Sequence, residues 1–339
     1  PILIGGALQV GLTGAGATTI TLMLGFKVGT SVAMGCLLAV SSTAIVLRAL
    51  EARGELDAPH GRLTLGVLVF QDLCVVPMML AIPLLSGAGE GSTEMGKAVL
   101  KAVVVLAVVL FLARIVVPRA LEWIAATRER DLFVLSVFLV CIGTAWAVST
   151  AGISLALGAF LAGLVVAGSE FRHQALTELI PLREVFASVF FVSVGMLVDP
   201  RLVAHHPLKV ALLAAGVLAG KTLVVVLVGV LMRLPLRVSV LAGVALSQVG
   251  EFSFVLSRSA SSAGLLEADT AALVTAASIV TMVLTPLGLA MGPKLAAGVG
   301  SIPVITRLLD VKPTEDSELQ LERMQDHVVI AGYGVAGQE

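Results

Sequence analysis

Long apolar stretches, separated by short polar connections, constrain this chain more than any other feature of its sequence. A membrane-spanning helix needs about 20 mostly apolar residues, and ten stretches reach or approach that length: about 2–25, 29–50, 63–85, 98–118, 132–149, 152–168, 185–198, 208–232, 238–257 and 270–291. Charged residues make up only 13% of the chain, whereas a soluble domain has about 25%. The sequence therefore predicts an all-α polytopic membrane protein with ten transmembrane segments in a lipid bilayer.

The same composition excludes several classes of protein. A net charge of −1 leaves no basic surface for phosphates, so no nucleic-acid partner is expected. All five histidines lie outside the apolar stretches, and no H-E-x-x-H motif is present, which argues against an intramembrane haem or zinc protease. We therefore do not expect an enzyme.

Arginine is distributed unequally between the connections. The connection at 114–130 holds four arginines, more than any other, and the positive-inside rule then places it in the cytoplasm. With ten helices, both ends of the chain are expected on that same side. The chain begins with Pro1 inside an apolar stretch, so we expect N-terminal helices to be missing from it.

Composition changes after residue 292, which divides the chain into three parts. Residues 1–292 are interpreted as a membrane transport domain, and the charged residues that follow, 293–326, as a cytoplasmic linker. Residues 327–339 contain a β-like run and then Gly332, Gly334 and Gly337. This spacing is typical of the first turn of a dinucleotide-binding domain. The remainder of such a domain is absent, so no cofactor is expected to bind to this chain.

Three charged residues lie near the middle of an apolar stretch: Asp72, Lys221 and Glu251. A charge at the bilayer centre costs about 2.5–3.5 kcal/mol on insertion scales, and such residues commonly mark ion pathways. Each is therefore a candidate functional residue.

Asp72 follows Gln71 in the sequence FQDLCVVP. A carboxylate can bind either a cation or a proton, which is the minimum requirement for exchanging one for the other, and the Gln71 amide could add a neutral oxygen ligand. The alternative is that Asp72 is neutralised in a buried ion pair with Lys221. The two interpretations are compatible.

Lys221 and Glu251 each allow two interpretations. Lys221 could compete electrostatically with a bound cation, or it could lock its helix by a salt bridge. Glu251 could line the ion path, or it could satisfy free backbone N–H groups at a broken helix end.

Two segments in opposite halves of the chain resemble each other. Gly35–Leu47 and Gly243–Leu256 both place small and polar residues in the middle of an apolar stretch. The polar residues are Ser41, Ser42 and Thr43 in the first segment, and Ser247 and Gln248 in the second. Paired interrupted segments of this kind indicate a transporter binding site, where free carbonyls and hydroxyls can coordinate a cation. The alternatives are a chance similarity between two apolar helices, and hydroxyls that only bond back to their own helix.

Six stretches of this sequence resemble the Kef-type potassium/proton antiporters of the second monovalent cation:proton antiporter family. They are LLAVSSTAIVL (37–47), GVLVFQDLCVVP (66–77), SLALGAFLAGLVV (154–166), VFFVSVGMLVD (189–199), GKTLVVV (220–226) and ALSQVGEFSFVL (245–256). The closing GYGVAGQ resembles the start of the cytosolic KTN domain of these proteins.

The resemblance implies a homodimeric elevator fold, like that of sodium/proton antiporters, with inverted repeats and about thirteen helices in the full protein. Two discontinuous helices, around Ser41–Thr43 and Ser247–Glu251, would cross near the cation site. The family's Gln-Asp pair corresponds to Gln71 and Asp72, and its intramembrane lysine to Lys221. Gln in the first position of the pair favours K⁺ over Na⁺.

The resemblance also implies a setting and partners. We expect a multi-pass protein of the bacterial inner membrane that exchanges K⁺, or alternatively Na⁺, for H⁺. An adenine nucleotide, NAD(H) or AMP, is expected at the full-length KTN domain, and a regulatory subunit could bind the missing cytosolic part. The segment 173–181 has Glu178 as its one acid, fewer than in glutathione-gated members, so glutathione control is not expected.

Two other classes are less favoured by the residues. A nucleotide-gated cation channel should contain a selectivity-filter sequence such as T-V-G-Y-G, which is absent here. A proton-pumping membrane enzyme would need a complete nucleotide site and a hydride partner, and neither is visible.

Overall fold

The elements of regular structure are α-helices throughout the part of the chain that the structure describes. The computed structural model describes residues 2–85, 104, 107, 111, 115, 117–124, 126–127, 129–150, 155–196, 198 and 200–300. The helices are α1 (Ile2–Met23), α2 (Val28–Ala39), α3 (Thr43–Ala52), α4 (Pro59–Leu85), α5 (Arg130–Thr150), α6 (Leu155–Ala167), α7 (Arg172–Met196), α8 (Pro200–His205), α9 (Pro207–Leu231), α10 (Leu236–Ala245), α11 (Phe252–Ser262) and α12 (Ala268–Gly300). The prediction of an all-α chain is confirmed for these residues.

Seven helical segments of the described chain are long and apolar enough to cross a membrane. They are Leu3–Met23, Val28–Ala52, Pro59–Ile82, Arg130–Thr150, Arg172–Met196, Pro207–Leu231 and Ala268–Val299. A polytopic membrane protein is therefore supported, whereas the predicted number of ten spans is not confirmed.

The three remaining predicted stretches differ from full-length spans for separate reasons. The stretch at 98–118 lies mostly outside the described residues. The stretch at 152–168 supplies the short helix α6, and the stretch at 238–257 is divided between α10 and α11. None of these three helices reaches the length of a span by itself.

Two helices extend beyond the stretches predicted for them. The stretch predicted at 185–198 is the apolar end of a longer helix, α7, which begins at Arg172 and continues through Pro181. At the end of the described chain, α12 continues to Gly300, past the predicted domain boundary at residue 292. The rest of the predicted linker, and the predicted strand and glycine turn at 327–339, lie outside the described residues.

The helices pack in two groups. The larger bundle contains α1–α4 and α8–α12, whereas α5, α6 and α7 pack mainly on one another. The apolar core of the larger bundle is formed by clusters around Leu37 and Leu246. The smaller bundle meets it where Val148 and Leu161 join the Leu37 cluster.

Candidate functional site

Two helices of the larger bundle are interrupted, and the interruptions touch. The first, between α2 and α3, leaves Val40–Ser42 outside helical structure, and the second lies between α10 and α11. The Gly250 N–H donates to the Val40 carbonyl at 3.1 Å, and the Ser41 hydroxyl donates to the Leu246 carbonyl at 2.8 Å. The predicted interruptions of the two similar segments are thus observed, and the structure brings them together.

The crossing satisfies backbone groups that the interruptions release from helical hydrogen bonding. Ser42 caps α3, since its hydroxyl accepts from the Ile45 N–H at 3.3 Å. From α12, the Thr281 hydroxyl accepts from the Val249 N–H at 3.2 Å. Such partners are required because a membrane interior offers little water to replace them.

Lys221 reaches the crossing from the middle of α9. Its side chain is 2% exposed, and its Nζ donates to the Val40 carbonyl at 2.8 Å, the Ser41 Oγ at 2.8 Å and the Gln248 carbonyl at 2.6 Å. These three bonds use all the donors of an ammonium group. They join α9 to both interruptions.

Asp72 lies beside this crossing on α4 and is half-buried. Its carboxylate oxygens lie 3.1 and 3.2 Å from the Thr43 hydroxyl at the start of α3. Lys221 makes no ion pair with Asp72 in the described part of the chain, because its three bonds go to neutral oxygens. Asp72 therefore keeps acceptor capacity for a cation or a proton.

Gln71 contacts the first interruption directly. Its side chain is fully buried, its Oε1 accepts from the Ser41 N–H at 2.7 Å, and its Nε2 donates to the Oε1 of Gln9 at 2.7 Å. The Gln71 oxygen thus satisfies a backbone N–H group of the first interruption, and its predicted role as a ligand for a cation stays a prediction.

Unpartnered polar atoms lie at the second interruption. Both side-chain atoms of Gln248 and the Oε2 of Glu251 are buried and lack a hydrogen-bond partner. The Glu251 carboxylate also interacts electrostatically with Asp72. Glu251 makes no side-chain cap at the start of α11, so the structure gives no support to the interpretation of Glu251 as a helix cap.

Most of the predicted site residues converge on this crossing. Eight of them make or border the contacts just described: Asp72, Gln71, Ser41, Ser42, Thr43, Lys221, Gln248 and Glu251. Ser247 instead bonds back to its own helix, at the Val244 carbonyl, at 2.8 Å. Gly332, Gly334 and Gly337 lie outside the described residues. Among the described residues, no group of three His, Cys, Asp or Glu side chains could hold a metal ion.

Sequence reasoning missed two residues at the crossing, Gln9 and Thr281. Gln9 is a single amide in the apolar helix α1, and it is 1% exposed. The signal that could have found it is its polarity within a membrane stretch, which is costly unless a partner is present. Thr281 gave no such signal, because hydroxyls in membrane helices commonly bond to their own helix.

We expect Gly250→Ala to disrupt the crossing. A Cβ at this position would overlap the Ser41 carbonyl group of the other interruption, and overpacking of this kind typically costs about 1–3 kcal/mol. Unfolding of the purified protein in detergent measures the effect. Gly220→Ala is the matched control because a Cβ there meets no atom within 4 Å. Equal stability of the two variants would contradict this packing.

Comparison with known proteins gives the chain a family. Residues 1–291 match the family described as sodium/hydrogen exchanger, transmembrane. The chain is 35% identical to K(+) efflux antiporter 2, chloroplastic, of Arabidopsis thaliana, over 98% of the chain and 28% of that protein. It is 34% identical to the glutathione-regulated potassium-efflux system protein KefC of Cronobacter sakazakii, over 98% of the chain and 52% of that protein.

A third relative gives the same result. The chain is 33% identical to the KefC protein of Salmonella typhimurium, over 98% of the chain and 52% of that protein. The chain thus spans about half, or less, of the length of these three relatives. Given the match over residues 1–291, the chain belongs to the sodium/hydrogen exchanger family, a family of transporters rather than enzymes, and the relatives to which it is similar are potassium-efflux proteins.

Proposed function

We propose that this chain is the membrane part of a secondary transporter that exchanges a monovalent cation for H⁺, with Asp72 as the site that both ions share. The observation that carries the proposal is the position of Asp72. It is a half-buried carboxylate beside two interrupted helices, and it has a hydroxyl neighbour but no cationic partner among the described residues. One carboxylate that holds either ion, but not both, couples their movements.

The residues around Asp72 are compatible with both its ionised, cation-binding form and its protonated form. The Thr43 hydroxyl can donate to the ionised carboxylate, or it can accept a hydrogen bond from the protonated one. Lys221 is engaged with neutral oxygens and leaves the negative charge of Asp72 available for a cation. The free atoms of Gln248 and Glu251 lie at the same crossing, so they are further candidates for ligands or for contacts to water.

We propose K⁺ as the cation. The relatives described above are named for potassium efflux, and Gln71 adds no second negative charge beside Asp72. Na⁺ is the alternative, since the family description names sodium.

We further propose that alternating access comes from movement of the larger bundle against the smaller one, as in an elevator. The site lies in the larger bundle, and among the described residues the two bundles share few contacts, one of which is the Arg48–Glu184 ion pair at 3.5 Å. A homodimer, inverted repeats, a bacterial inner-membrane location and a nucleotide-binding cytosolic domain complete the proposal on the basis of the family resemblance.

Reconstitution tests the proposed function. Proteoliposomes with an internal pH dye should show a pH change when K⁺, Rb⁺ or Na⁺ is added outside, and the largest response is expected with K⁺. No response to any of the three cations, from liposomes with verified protein insertion, would refute cation/proton exchange.

Competition at one carboxylate predicts a specific pH dependence. In the acidic range, where Asp72 is mostly protonated, each further pH unit of acid should weaken apparent cation affinity about tenfold, because one proton competes with one cation. At higher pH the affinity should become constant. A slope near two would indicate a second titrating group, with Glu251 the first to test, and an affinity independent of pH between about 5 and 8 would favour separate paths.

The charge distribution predicts which end of the bundle faces the cytoplasm. Lys27 and Asp57 lie at opposite ends of the Val28–Ala52 segment, and both are exposed. In a chain without its native cysteines, Asp57→Cys should react with an impermeant thiol reagent only after cells are opened. Lys27→Cys should react in intact cells, and the reverse pattern would invert the proposed topology.

A further inference from the structure

A closed circuit of two glutamine side chains spans the first interruption. The Nε2 of Gln9 donates to the Ala39 carbonyl at 3.3 Å, and the Oε1 of Gln9 accepts from the Nε2 of Gln71 at 2.7 Å. The Oε1 of Gln71 then accepts from the Ser41 N–H at 2.7 Å. The circuit therefore begins and ends on backbone groups two residues apart.

The backbone groups fix the orientation of both amides. A backbone carbonyl can only accept a hydrogen bond, and a backbone N–H can only donate one. Since Ser41 donates to Gln71, the Gln71 amide must present its NH₂ group to Gln9. Since Ala39 accepts from Gln9, the Gln9 amide must present its oxygen to Gln71. Thr13, one turn along α1, accepts a second bond from the Gln9 Nε2 at 3.1 Å.

This circuit does what an unbroken helix would otherwise do. Ala39 is the last residue of α2, and its carbonyl and the Ser41 N–H lose helical partners at the interruption. Buried polar groups without partners cost several kcal/mol in a bilayer. Gln9 and Gln71 are both almost fully buried. The Ala39 carbonyl and the Ser41 N–H therefore depend on these two side chains for hydrogen-bond partners.

The circuit is connected to Asp72 through residues 41–43. Ser41 is held by Gln71, Ser42 caps α3, and Thr43 contacts the Asp72 carboxylate. We therefore expect a change in the position of Ser41 to move the Thr43 hydroxyl relative to Asp72. Gln9 does not contact Asp72 itself.

We propose that Gln9 is a positioning residue of the exchange site, which acts through Gln71 to hold the first interruption in the shape that places Thr43 against Asp72. This inference rests on the proposed function for its effect on transport. It also assigns a specificity role. A carboxylate at position 71 would place a hydrogen-bond acceptor against the Gln9 oxygen, which is also an acceptor. Gln9 therefore requires a neutral hydrogen-bond donor at position 71. As a result, Asp72 is the single carboxylate at positions 71 and 72.

Gln9→Met tests the proposal, because Met has a similar length and lacks both hydrogen-bonding groups. We expect the apparent KM for K⁺ in proteoliposomes to rise about tenfold with little change in the maximal rate, as loss of buried hydrogen bonds worth about 1.4 kcal/mol would produce. Thr13→Val is the matched control. It removes one bond of Gln9 but leaves the circuit through Ala39 and Gln71 closed.

A double-mutant cycle separates positioning from packing. If Gln9 acts through Gln71, then Gln9→Met should change the KM little in a chain that already carries Gln71→Met. Fully additive effects would show that Gln9 acts independently of Gln71, and a KM unchanged by Gln9→Met would show that it does not act on the site. Either result overturns the proposal.

Hydrogen–deuterium exchange of the purified full chain gives a measurement that does not depend on transport. Gln9→Met should speed exchange in the segment 39–43, because the Ser41 N–H loses its supported acceptor, whereas Thr13→Val should not. Gln71→Met breaks the same circuit at its α4 residue, so it is the variant to measure if Gln9→Met does not fold. Should the wild-type protein fail to exchange ions, the proposed function would be wrong, but faster deuteration would still support the positioning role and unchanged deuteration would overturn it.

Discussion

Asp72→Asn should reduce cation-driven proton movement to the level of empty liposomes while the protein remains folded. The amide is nearly the same size as the carboxylate. Its oxygen can still accept a hydrogen bond from the Thr43 hydroxyl, which lies 3.1–3.2 Å from the Asp72 oxygens. A neutral amide, however, can neither release a proton nor offer a full negative charge to a cation. The measurement is the initial rate of the pH-dye signal after addition of K⁺.

Asp57→Asn is the matched control for this result. Asp57 carries the same chemical group, but it lies in the connection between α3 and α4, where its side chain is 96% exposed and pairs with Arg62 at 3.6 Å. The control should exchange like the wild type. Exchange by Asp72→Asn at the wild-type rate would remove Asp72 from the mechanism and direct attention to Glu251.

The interruptions could be predicted because their signal is local. Polar residues in the middle of an apolar stretch, at Ser41–Thr43 and again at Ser247–Glu251, stand out against their neighbours, since the membrane penalises unsatisfied polar groups. The same reasoning identified Asp72 and Lys221. For these residues, the cost of burial alone singles out the position.

The partners of those residues could not be predicted in the same way. Gln71 and Gln9 are 62 residues apart, and Lys221 and Ser41 are 180 residues apart, so each contact depends on how the helices pack. The sequence alone allows a salt bridge between Lys221 and Asp72 as one interpretation of these two charges in apolar stretches. Packing instead surrounds Lys221 with neutral oxygens, because the two interruptions place three acceptors around the end of its side chain.

Helix length was predictable only where the chain is regular. The stretch at 238–257 is apolar throughout most of its length, yet it is divided at the second interruption. Conversely, α7 continues through the polar residues before 185, because a helix can extend beyond the apolar core when its polar end reaches water. Average hydropathy does not distinguish these cases.

Lys221→Met should destabilise the protein clearly, because it removes the donor that joins the two interruptions. The substitution keeps a long side chain but leaves the Val40 and Gln248 carbonyls and the Ser41 hydroxyl without the ammonium donor. An unsatisfied buried acceptor costs about 1–3 kcal/mol. The Val40 carbonyl keeps its bond from the Gly250 N–H, so the Gln248 carbonyl bears most of this cost. We expect a loss of that order in the free energy of unfolding, measured by chemical denaturation in detergent.

Lys209→Met is the control that tests whether the position, rather than the loss of a lysine, causes this effect. Lys209 lies near the start of the same helix, α9, and is exposed, so its replacement should change the free energy of unfolding by no more than about 0.5 kcal/mol. If both variants unfold alike, Lys221 does not hold the two interruptions together. If Lys221→Met unfolds like the wild type but binds K⁺ with altered affinity, its main effect is on the cation, and the electrostatic interpretation of this residue replaces the structural one.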